Sequence, residues 1–172
     1  MALLGISHIG VCVSDLDRSV RFYVDVLGFS QLYALDFTGD EVAATMEQKG
    51  AFRSAMLLRS DMRLELLQWV DVPTTGPGTR KPMTEMGFTH LSFRVDDVYE
   101  LSDAVRAAGG QVIDETLTVL GDDAAGAPAP TRLLYVTDPD GTRIELMENV
   151  PDLSLMAPDA AAALTARFEQ AD

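Results

Sequence analysis

The chain has 172 residues, which suits one compact domain or two small fused modules and excludes a large multidomain enzyme. Hydrophobic residues make up 47% of it and charged residues 23%, so the chain can bury a core and is not disordered as a whole. Its 27 acidic residues against 13 basic ones give a formal charge of −14, which repels nucleic-acid phosphates and anionic membrane surfaces. We therefore expect neither a nucleic acid nor a membrane as a partner.

Cysteine content and the first residues favour a reducing compartment. The single cysteine, Cys12, excludes an intrachain disulfide, and its place in an apolar stretch predicts a buried packing residue rather than a reactive thiol. The N-terminus has no basic segment followed by a long apolar run, and no run approaches the roughly 18 apolar residues that span a bilayer. We expect a soluble, cytoplasmic protein.

The sequence contains an internal repeat. Residues 7–15 resemble residues 89–97 at an offset of 82: in both, a hydroxyl residue precedes a histidine and an aspartate ends the segment. In the first copy, apolar residues at helical spacing predict an amphipathic helix from Leu16 that ends at Gly28. The second copy predicts a helix from Val98 to Gly109.

Both helices carry start signals, and both copies end alike. Ser14 or Asp15 in the first copy, and Asp96 or Asp97 in the second, are suitable N-cap residues. Residues 63–67 resemble 143–147, and each follows a predicted strand, at 52–58 and at 133–136. Residues 138–141, Asp-Pro-Asp-Gly, predict a tight turn between the last two strands. Each copy is therefore predicted to form a strand, a helix and about three further strands.

The repeat sets the predicted domain organisation. Residues 1–70 form a first module and residues 87–150 a second one. Residues 71–86, rich in proline and glycine, form a linker, and residues 151–172 form a tail with a short helix over 160–170.

Four repeat-matched residues predict a metal site. The two histidines of the chain, His8 and His90, occupy the same place in the two copies, and Glu65 and Glu145 each interrupt an apolar strand. A carboxylate among apolar side chains needs a cation or strong hydrogen-bond donors. Two imidazoles and two carboxylates neutralise a divalent ion and, in an octahedral site, leave two positions for a bidentate oxygen ligand. A structural role for each histidine alone is the alternative.

Strand alternation adds weaker candidates for substrate binding. Arg63 and Arg143 lie two residues before each glutamate, hence on the same face, where they could meet a substrate carboxylate. Surface salt bridges explain them nearly as well. Trp69 is a candidate for an apolar pocket, with core packing as the alternative.

The order His8, Glu65, His90, Glu145, together with residues 15–29 and 138–146, resembles the vicinal oxygen chelate superfamily over about residues 5–148. That superfamily includes glyoxalase I, methylmalonyl-CoA epimerase, extradiol dioxygenases, and bleomycin or fosfomycin resistance proteins. The resemblance implies an α+β fold in which two βαβββ modules form a curved mixed sheet around a metal cavity. It also implies a homodimer and a divalent ion (nickel, cobalt, manganese, zinc or iron).

The resemblance further implies a metal-dependent lyase or isomerase of glyoxalase type. Such an enzyme acts on a small molecule with vicinal oxygens through an enolate or enediolate, with Glu145 or Glu65 as the base. The segment around Glu47 looks like the one before the metal carboxylate in methylmalonyl-CoA epimerase, which makes Glu47 an alternative base; a solvated turn is the other interpretation. Cys12 and Trp69 stand where glyoxalase I has an arginine and an asparagine that bind glutathione.

Three further functions stay open. An acyl-CoA epimerase would use the same acid–base chemistry. An extradiol-type dioxygenase would use two histidines and one carboxylate, which leaves the fourth predicted ligand unexplained. A protein that binds an antibiotic or metabolite without chemistry commonly lacks the metal ligands.

Overall fold

The computed structural model describes residues 2, 4–39, 42, 44–121 and 129–150. The predicted tail helix over 160–170, and most of the loose stretch 121–130, lie outside the described residues. The chain divides into two compact units, one of residues 1–79 with 138–140 and one of residues 80–137 with 141–172. The division between Thr79 and Arg80 falls within the predicted linker.

The first unit forms one mixed four-stranded sheet with a helix. Its elements are β1 (Ile9–Cys12), α1 (Leu16–Arg21), a π-helical turn (Phe22–Val26), β2 (Ser30–Phe37), β3 (Phe52–Arg59) and β4 (Met62–Trp69). The strand order is β1-β4-β3-β2, with β1 parallel to β4 and the other pairs antiparallel. This is the predicted βαβββ module.

The second unit repeats this topology. Its elements are β5 (Leu91–Val95), α2 (Val98–Ala107), β6 (Gln111–Leu120), β7 (Thr131–Thr137) and β8 (Arg143–Glu148). The strand order is β5-β8-β7-β6, with β5 parallel to β8. The α+β class and the two βαβββ modules are confirmed, as two four-stranded sheets. Within the described residues, the helices are too short and too polar to cross a membrane.

The helix boundaries follow the predicted signals. Asp15 caps α1 by accepting a hydrogen bond from the Arg18 amide at 2.9 Å, and Asp97 caps α2 through the amides of Tyr99 and Glu100. Gly28 and Gly109 follow the helices with φ of 68° and 85°, the left-handed region in which a glycine ends a helix at little steric cost.

The first helical segment departs from the prediction in its second half. From Phe22 to Val26 the backbone widens into a π-helical turn. Phe22 and Tyr23 are adjacent in sequence, both rings are buried, and their centroids lie 5.6 Å apart in an edge-to-face contact. Apolar spacing alone describes a regular helix, and it therefore missed this widening.

Strand alternation places the glutamates on the sheet face away from the helix. Leu64 and Leu66 flank Glu65 and are fully buried, as Ile144 and Leu146 are around Glu145. These apolar neighbours belong to the face on which α1 or α2 packs. We call the opposite face of each sheet its His–Glu face, because it carries the glutamate and the histidine of that unit.

The predicted turn after β7 is present, and it contributes to the first unit. The Asp140 carboxylate accepts hydrogen bonds from the Ser14 amide (3.0 Å), the Ser14 hydroxyl (2.5 Å) and the Arg18 guanidinium (2.6 Å). Burial acts to raise the pKa of Asp140, but these Ser14 and Arg18 hydrogen bonds outweigh it and hold the pKa below its ordinary value. Asp140 therefore helps to fix the start of α1 as an ionised group.

Candidate metal centre

Each unit holds one imidazole–carboxylate pair at the same place in its sheet. His8 immediately precedes β1, and its Nε2 lies 3.2 Å from Glu65 Oε2. His90 immediately precedes β5, and its Nε2 lies 3.4 Å from Glu145 Oε2. In both units the first strand runs parallel to the last, which brings the histidine of one strand beside the glutamate of the other.

A hydroxyl next to each histidine orients its ring. Ser7 Oγ lies 3.1 Å from His8 Nδ1, and Thr89 Oγ1 lies 2.9 Å from His90 Nδ1. With Nδ1 engaged in this way, Nε2 is the nitrogen that faces the glutamate. Metal-binding histidines commonly have their second nitrogen hydrogen-bonded like this, since the bond fixes the ring and its tautomer. The repeated hydroxyl–histidine sequence was the signal for this contact.

Neighbouring hydroxyls hold both carboxylates. Ser54 Oγ donates to Glu65 Oε1 at 2.6 Å, and Tyr135 Oη donates to Glu145 Oε1 at 2.9 Å. Ser92 Oγ adds a second hydrogen bond to Glu145, at Oε2, at 2.9 Å. No pattern in the sequence singles out these three hydroxyl residues, although each lies on a strand next to that of its glutamate.

Tyr135 contacts both members of the second pair. Besides its bond to Glu145, its ring lies edge-on to His90 with centroids 5.4 Å apart. Burial, and then the hydrogen bond to Glu145, raise the pKa of Tyr135 to about 12. The phenol therefore stays protonated at neutral pH and acts as a donor.

Each unit contributes one histidine and one glutamate to the predicted site. Across the part of the chain that the structure describes, no three His, Cys, Asp or Glu side chains lie close enough together to hold a metal ion. The structure thus presents two matched pairs of donors, and the four-ligand site stays a prediction.

The two repeat-matched arginines differ in their surroundings. Arg143 is buried, and its guanidinium donates to the carbonyls of Thr89 (3.3 Å) and Lys81 (2.5 Å). It thereby fixes the backbone just before His90. Arg63 is exposed and lies on the His–Glu face of the first sheet, two residues before Glu65. Of the two, Arg63 has the accessible guanidinium that an anion would need.

Trp69 lies on the His–Glu face of the first sheet, at the far end of β4 from Arg63. Its ring contacts that of Phe52 at a centroid distance of 5.1 Å, and Phe52 stacks on Phe37 at 4.5 Å. Trp69 and Phe37 keep part of their surface exposed, while Phe52 is buried. These three rings form an apolar patch on the same sheet face as Glu65.

Cys12 differs from its prediction in exposure, and Glu47 lies in a turn outside the strands that carry the two pairs. Cys12 is exposed, so the prediction of a buried packing residue was wrong; it shares the His–Glu face with His8, whereas Val13 faces the core. Partial burial of the thiol and the Asp140 carboxylate raise the pKa of Cys12, which disfavours a reactive thiolate. Glu47 lies in an exposed turn with a positive φ of 58°.

Comparison with known proteins identifies the family. The family model described as Glyoxalase/Bleomycin resistance protein/Dioxygenase superfamily matches residues 5–146. The chain belongs to this superfamily. The resemblance inferred from the order of histidines and glutamates is confirmed.

Two relatives and one solved structure illustrate what the chain is similar to. A lactoylglutathione lyase from Haemophilus influenzae is 33% identical over 153 residues, which cover 84% of this chain and 92% of that protein. A 2-epi-5-epi-valiolone epimerase from an Actinomyces species is 30% identical, with coverage of 86% and 80%. A glyoxalase family protein of Bacillus cereus superposes with a TM-score of 0.70 at 19% identity, with coverage of 88% and 97%, and supports the fold. The sequence similarity supports a glyoxalase-type enzyme.

Proposed function

We propose that the protein is a metal-dependent lyase of the lactoylglutathione lyase type, in which His8, Glu65, His90 and Glu145 bind one divalent ion. The observation that carries this proposal is the repeated pair: two histidines and two glutamates, matched in sequence and in strand register, present Nε2 and Oε2 side by side. The similarity to a lactoylglutathione lyase over 92% of that protein's length supports the reaction class.

The donor atoms fit a metal ion in type and in spacing. Imidazole nitrogen and carboxylate oxygen are ligands of zinc, nickel, cobalt and manganese. Two donors that each lie about 2.1 Å from one ion are about 3.0 Å apart in an octahedral arrangement and about 3.4 Å apart in a tetrahedral one. The separations of 3.2 and 3.4 Å in the two pairs agree with this spacing.

We propose further that two copies of the chain complete each site. The superfamily resemblance implies a homodimer, and each half of the chain carries one complete His–Glu pair. A two-fold symmetric homodimer would supply His90 and Glu145 of the partner subunit to His8 and Glu65, and the reverse at a second, identical site. Each dimer would then hold two ions.

The protein's own carboxylates would move the proton. A bound divalent ion supplies Lewis-acid stabilisation of the enolate or enediolate that forms when a substrate with two vicinal oxygens loses a C–H proton. Glu65 or Glu145 would alternate between metal ligand and base, taking that proton and returning it to the neighbouring carbon, a contribution worth about 10²- to 10⁴-fold. Glu47 is the weaker alternative, because it lies in an exposed turn.

The substrate would be a small oxygenated compound or its thiol conjugate. Arg63 is the candidate partner for a substrate carboxylate, and the patch of Trp69, Phe52 and Phe37 is the candidate surface for an apolar group. Arg143 has its guanidinium occupied by backbone carbonyls, so its contribution would be to hold the segment before His90.

An epimerase is the second candidate function, favoured by the 30% identity to 2-epi-5-epi-valiolone epimerase. Epimerisation uses the same proton removal and differs in the face from which the proton returns. A glyoxalase reaction also moves the proton to a different carbon, so the products separate the two reactions.

Metal analysis and a substrate panel test the proposal. We expect the purified protein to carry nickel, cobalt, manganese or zinc at about one ion per chain, and to convert a hemithioacetal of methylglyoxal. The panel should include thiols other than glutathione, because Cys12 and Trp69 stand where glyoxalase I has its glutathione-binding arginine and asparagine. Turnover of methylmalonyl-CoA or 2-epi-5-epi-valiolone, with solvent deuterium entering the substrate, would establish an epimerase instead. Bound iron with consumption of O₂ would support a dioxygenase, and a protein that binds no metal would contradict the proposed function.

A further inference from the structure

Both glutamates use their two oxygens in the same way. Oε2 faces the imidazole of the pair, and Oε1 accepts a hydrogen bond from a hydroxyl on the middle strand of the sheet: Ser54 on β3 for Glu65, and Tyr135 on β7 for Glu145. An oxygen occupied by a donor is turned away from any ion between the pair. Each carboxylate therefore presents a single oxygen beside its histidine.

The two hydroxyls come from positions that the repeat does not match. Tyr135 lies directly opposite Glu145 in the β7–β8 register, and the residue directly opposite Glu65 is Met56, which has no hydroxyl. Ser54 lies opposite Leu67, and its counterpart in the second sheet is Leu133, opposite Met147. In both halves a hydroxyl therefore donates a hydrogen bond to Oε1 of the glutamate, but the residue that supplies the hydroxyl differs.

From this, resting on the proposed function, we infer that Tyr135 is a positioning residue for the metal ligand Glu145, the counterpart of Ser54 for Glu65. Its hydroxyl donates to Oε1 and fixes Oε2 as the ligand oxygen, and its ring edge supports His90. Groups that hold metal ligands by hydrogen bonds typically contribute 10- to 100-fold in metal affinity.

Glu145 accepts a second hydroxyl hydrogen bond, from Ser92, which distinguishes the role of Tyr135. Ser92 donates to Oε2, the oxygen that faces His90, and so takes up one of the two lone pairs of that oxygen. Tyr135 donates to the other oxygen and leaves the ligand position clear. Loss of the two hydroxyls should therefore have unequal effects on metal binding, with Tyr135 the larger.

Removal of the single hydroxyl tests the inference. Tyr135→Phe keeps the ring and its contact with His90 and deletes only the donor. Tyr99→Phe is the matched control, because Tyr99 is an exposed residue of α2 that stacks under Arg132 and belongs to neither pair. Metal-free full-length proteins would be titrated with Co²⁺ by calorimetry, the visible absorption of bound Co²⁺ recorded, and thermal unfolding measured without metal.

We expect Tyr135→Phe to raise the Kd for Co²⁺ by about 10-fold and to change the visible spectrum of the bound ion, with the melting temperature of the metal-free protein lowered by no more than about 4 °C. Tyr99→Phe should match the wild type in all three. A Tyr135→Phe protein with wild-type affinity and spectrum would overturn the inference, as would an affinity loss that leaves the spectrum of bound Co²⁺ unchanged. A wild-type protein that binds no Co²⁺ would instead refute the metal site itself, so the two failures are distinct.

Discussion

The two halves of the chain hold the same pair of donors but support it with different side chains. Gln68 and Glu148 are matched by the repeat, and each accepts a hydrogen bond from the first amide of the helix in its half, at Leu16 (2.9 Å) and at Val98 (3.0 Å). Only Glu148 is charged, and it also binds the guanidinium of Arg132 at 2.5 Å.

The arginines differ in the same manner. Arg132 and Arg53 stand opposite Glu148 and Gln68 in the strand register, yet Arg53 pairs instead with the exposed carboxylates of Asp17 and Asp36. The geometry of the His–Glu pair is thus the constant feature of the repeat, whereas the network beneath the helix has diverged. We infer that the pair is under a constraint that the helix network is not.

The largest predicted effect is the loss of Co²⁺ binding when the histidine of either half is removed. We expect His8→Ala and His90→Ala each to abolish stoichiometric Co²⁺ binding, because each removes one of four ligands. If two chains share each site, the two variants mixed 1:1, unfolded and refolded together should recover about a quarter of the wild-type Co²⁺ sites. The reason is that half of the dimers contain one chain of each variant, and each such dimer has one intact site out of two. Calorimetric titration with Co²⁺ measures the recovery.

A mixture of His8→Ala with Glu65→Ala is the matched control. Both changes lie in the first half, so every site in a mixed dimer lacks a ligand and no binding should return. Recovery in the control, or none in the His8→Ala and His90→Ala mixture despite normal dimer formation, would contradict sites shared between two chains.

The next effect concerns stability. Glu148→Gln gives the second half the residue of the first, and it removes a buried negative charge that faces Arg132, so we expect a loss of about 3 kcal/mol in the free energy of unfolding. The reciprocal Gln68→Glu change replaces the donor to the Ser14 carbonyl by a carboxylate oxygen and should cost about 1 kcal/mol. Urea unfolding at pH 7 measures both. Equal costs would show that the two networks are interchangeable.

A somewhat smaller effect depends on pH. The pKa of Asp140 is lowered in the folded protein, so its ionised form stabilises the fold above the unfolded value near 4, and that stabilisation disappears as the pH falls through the lowered folded value. Asp140→Asn should therefore cost about 2 kcal/mol at pH 7 and progressively less below pH about 4. Urea unfolding at a series of pH values measures the difference in the free energy of unfolding between the wild type and Asp140→Asn. A difference that does not change with pH would show that ionisation of Asp140 is not its cause.

Much of the fold could be predicted because its signals are local. Asp15 and Asp97 as helix caps, Gly28 and Gly109 as helix ends, and the strand alternation around Glu65 and Glu145 all depend on residues close in sequence. The repeat then placed one histidine and one glutamate in each half, and the structure puts each pair within 3.4 Å or less.

The features that sequence missed depend on contacts across strands. Tyr135 and Ser54 reach their glutamates only through the register of β7 with β8 and of β3 with β4, which no local pattern specifies. Strand alternation assigns Cys12 and Arg143 to the His–Glu faces of their sheets, but it does not predict how much of each side chain other residues cover. In the structure Cys12 is exposed and Arg143 is buried.

The smallest predicted effect comes from moving the hydroxyl donor of the second half to the position that it has in the first half. Ser54→Ala should raise the Kd for Co²⁺ by about 10-fold, as Tyr135→Phe does, because it frees Glu65 Oε1. Leu133 occupies the position in the second sheet that Ser54 occupies in the first. Adding Leu133→Ser to Tyr135→Phe should therefore return the Kd to within about threefold of the wild type.

Leu133→Ser alone is the control for this exchange. It should leave the Kd for Co²⁺ unchanged, since the Tyr135 hydroxyl already occupies Glu145 Oε1. If the double variant binds Co²⁺ no better than Tyr135→Phe, then the position of the hydroxyl matters as much as its presence. The phenol of Tyr135 would in that case be specific to the second half, because only there does the glutamate also receive a bond from Ser92 on its ligand oxygen.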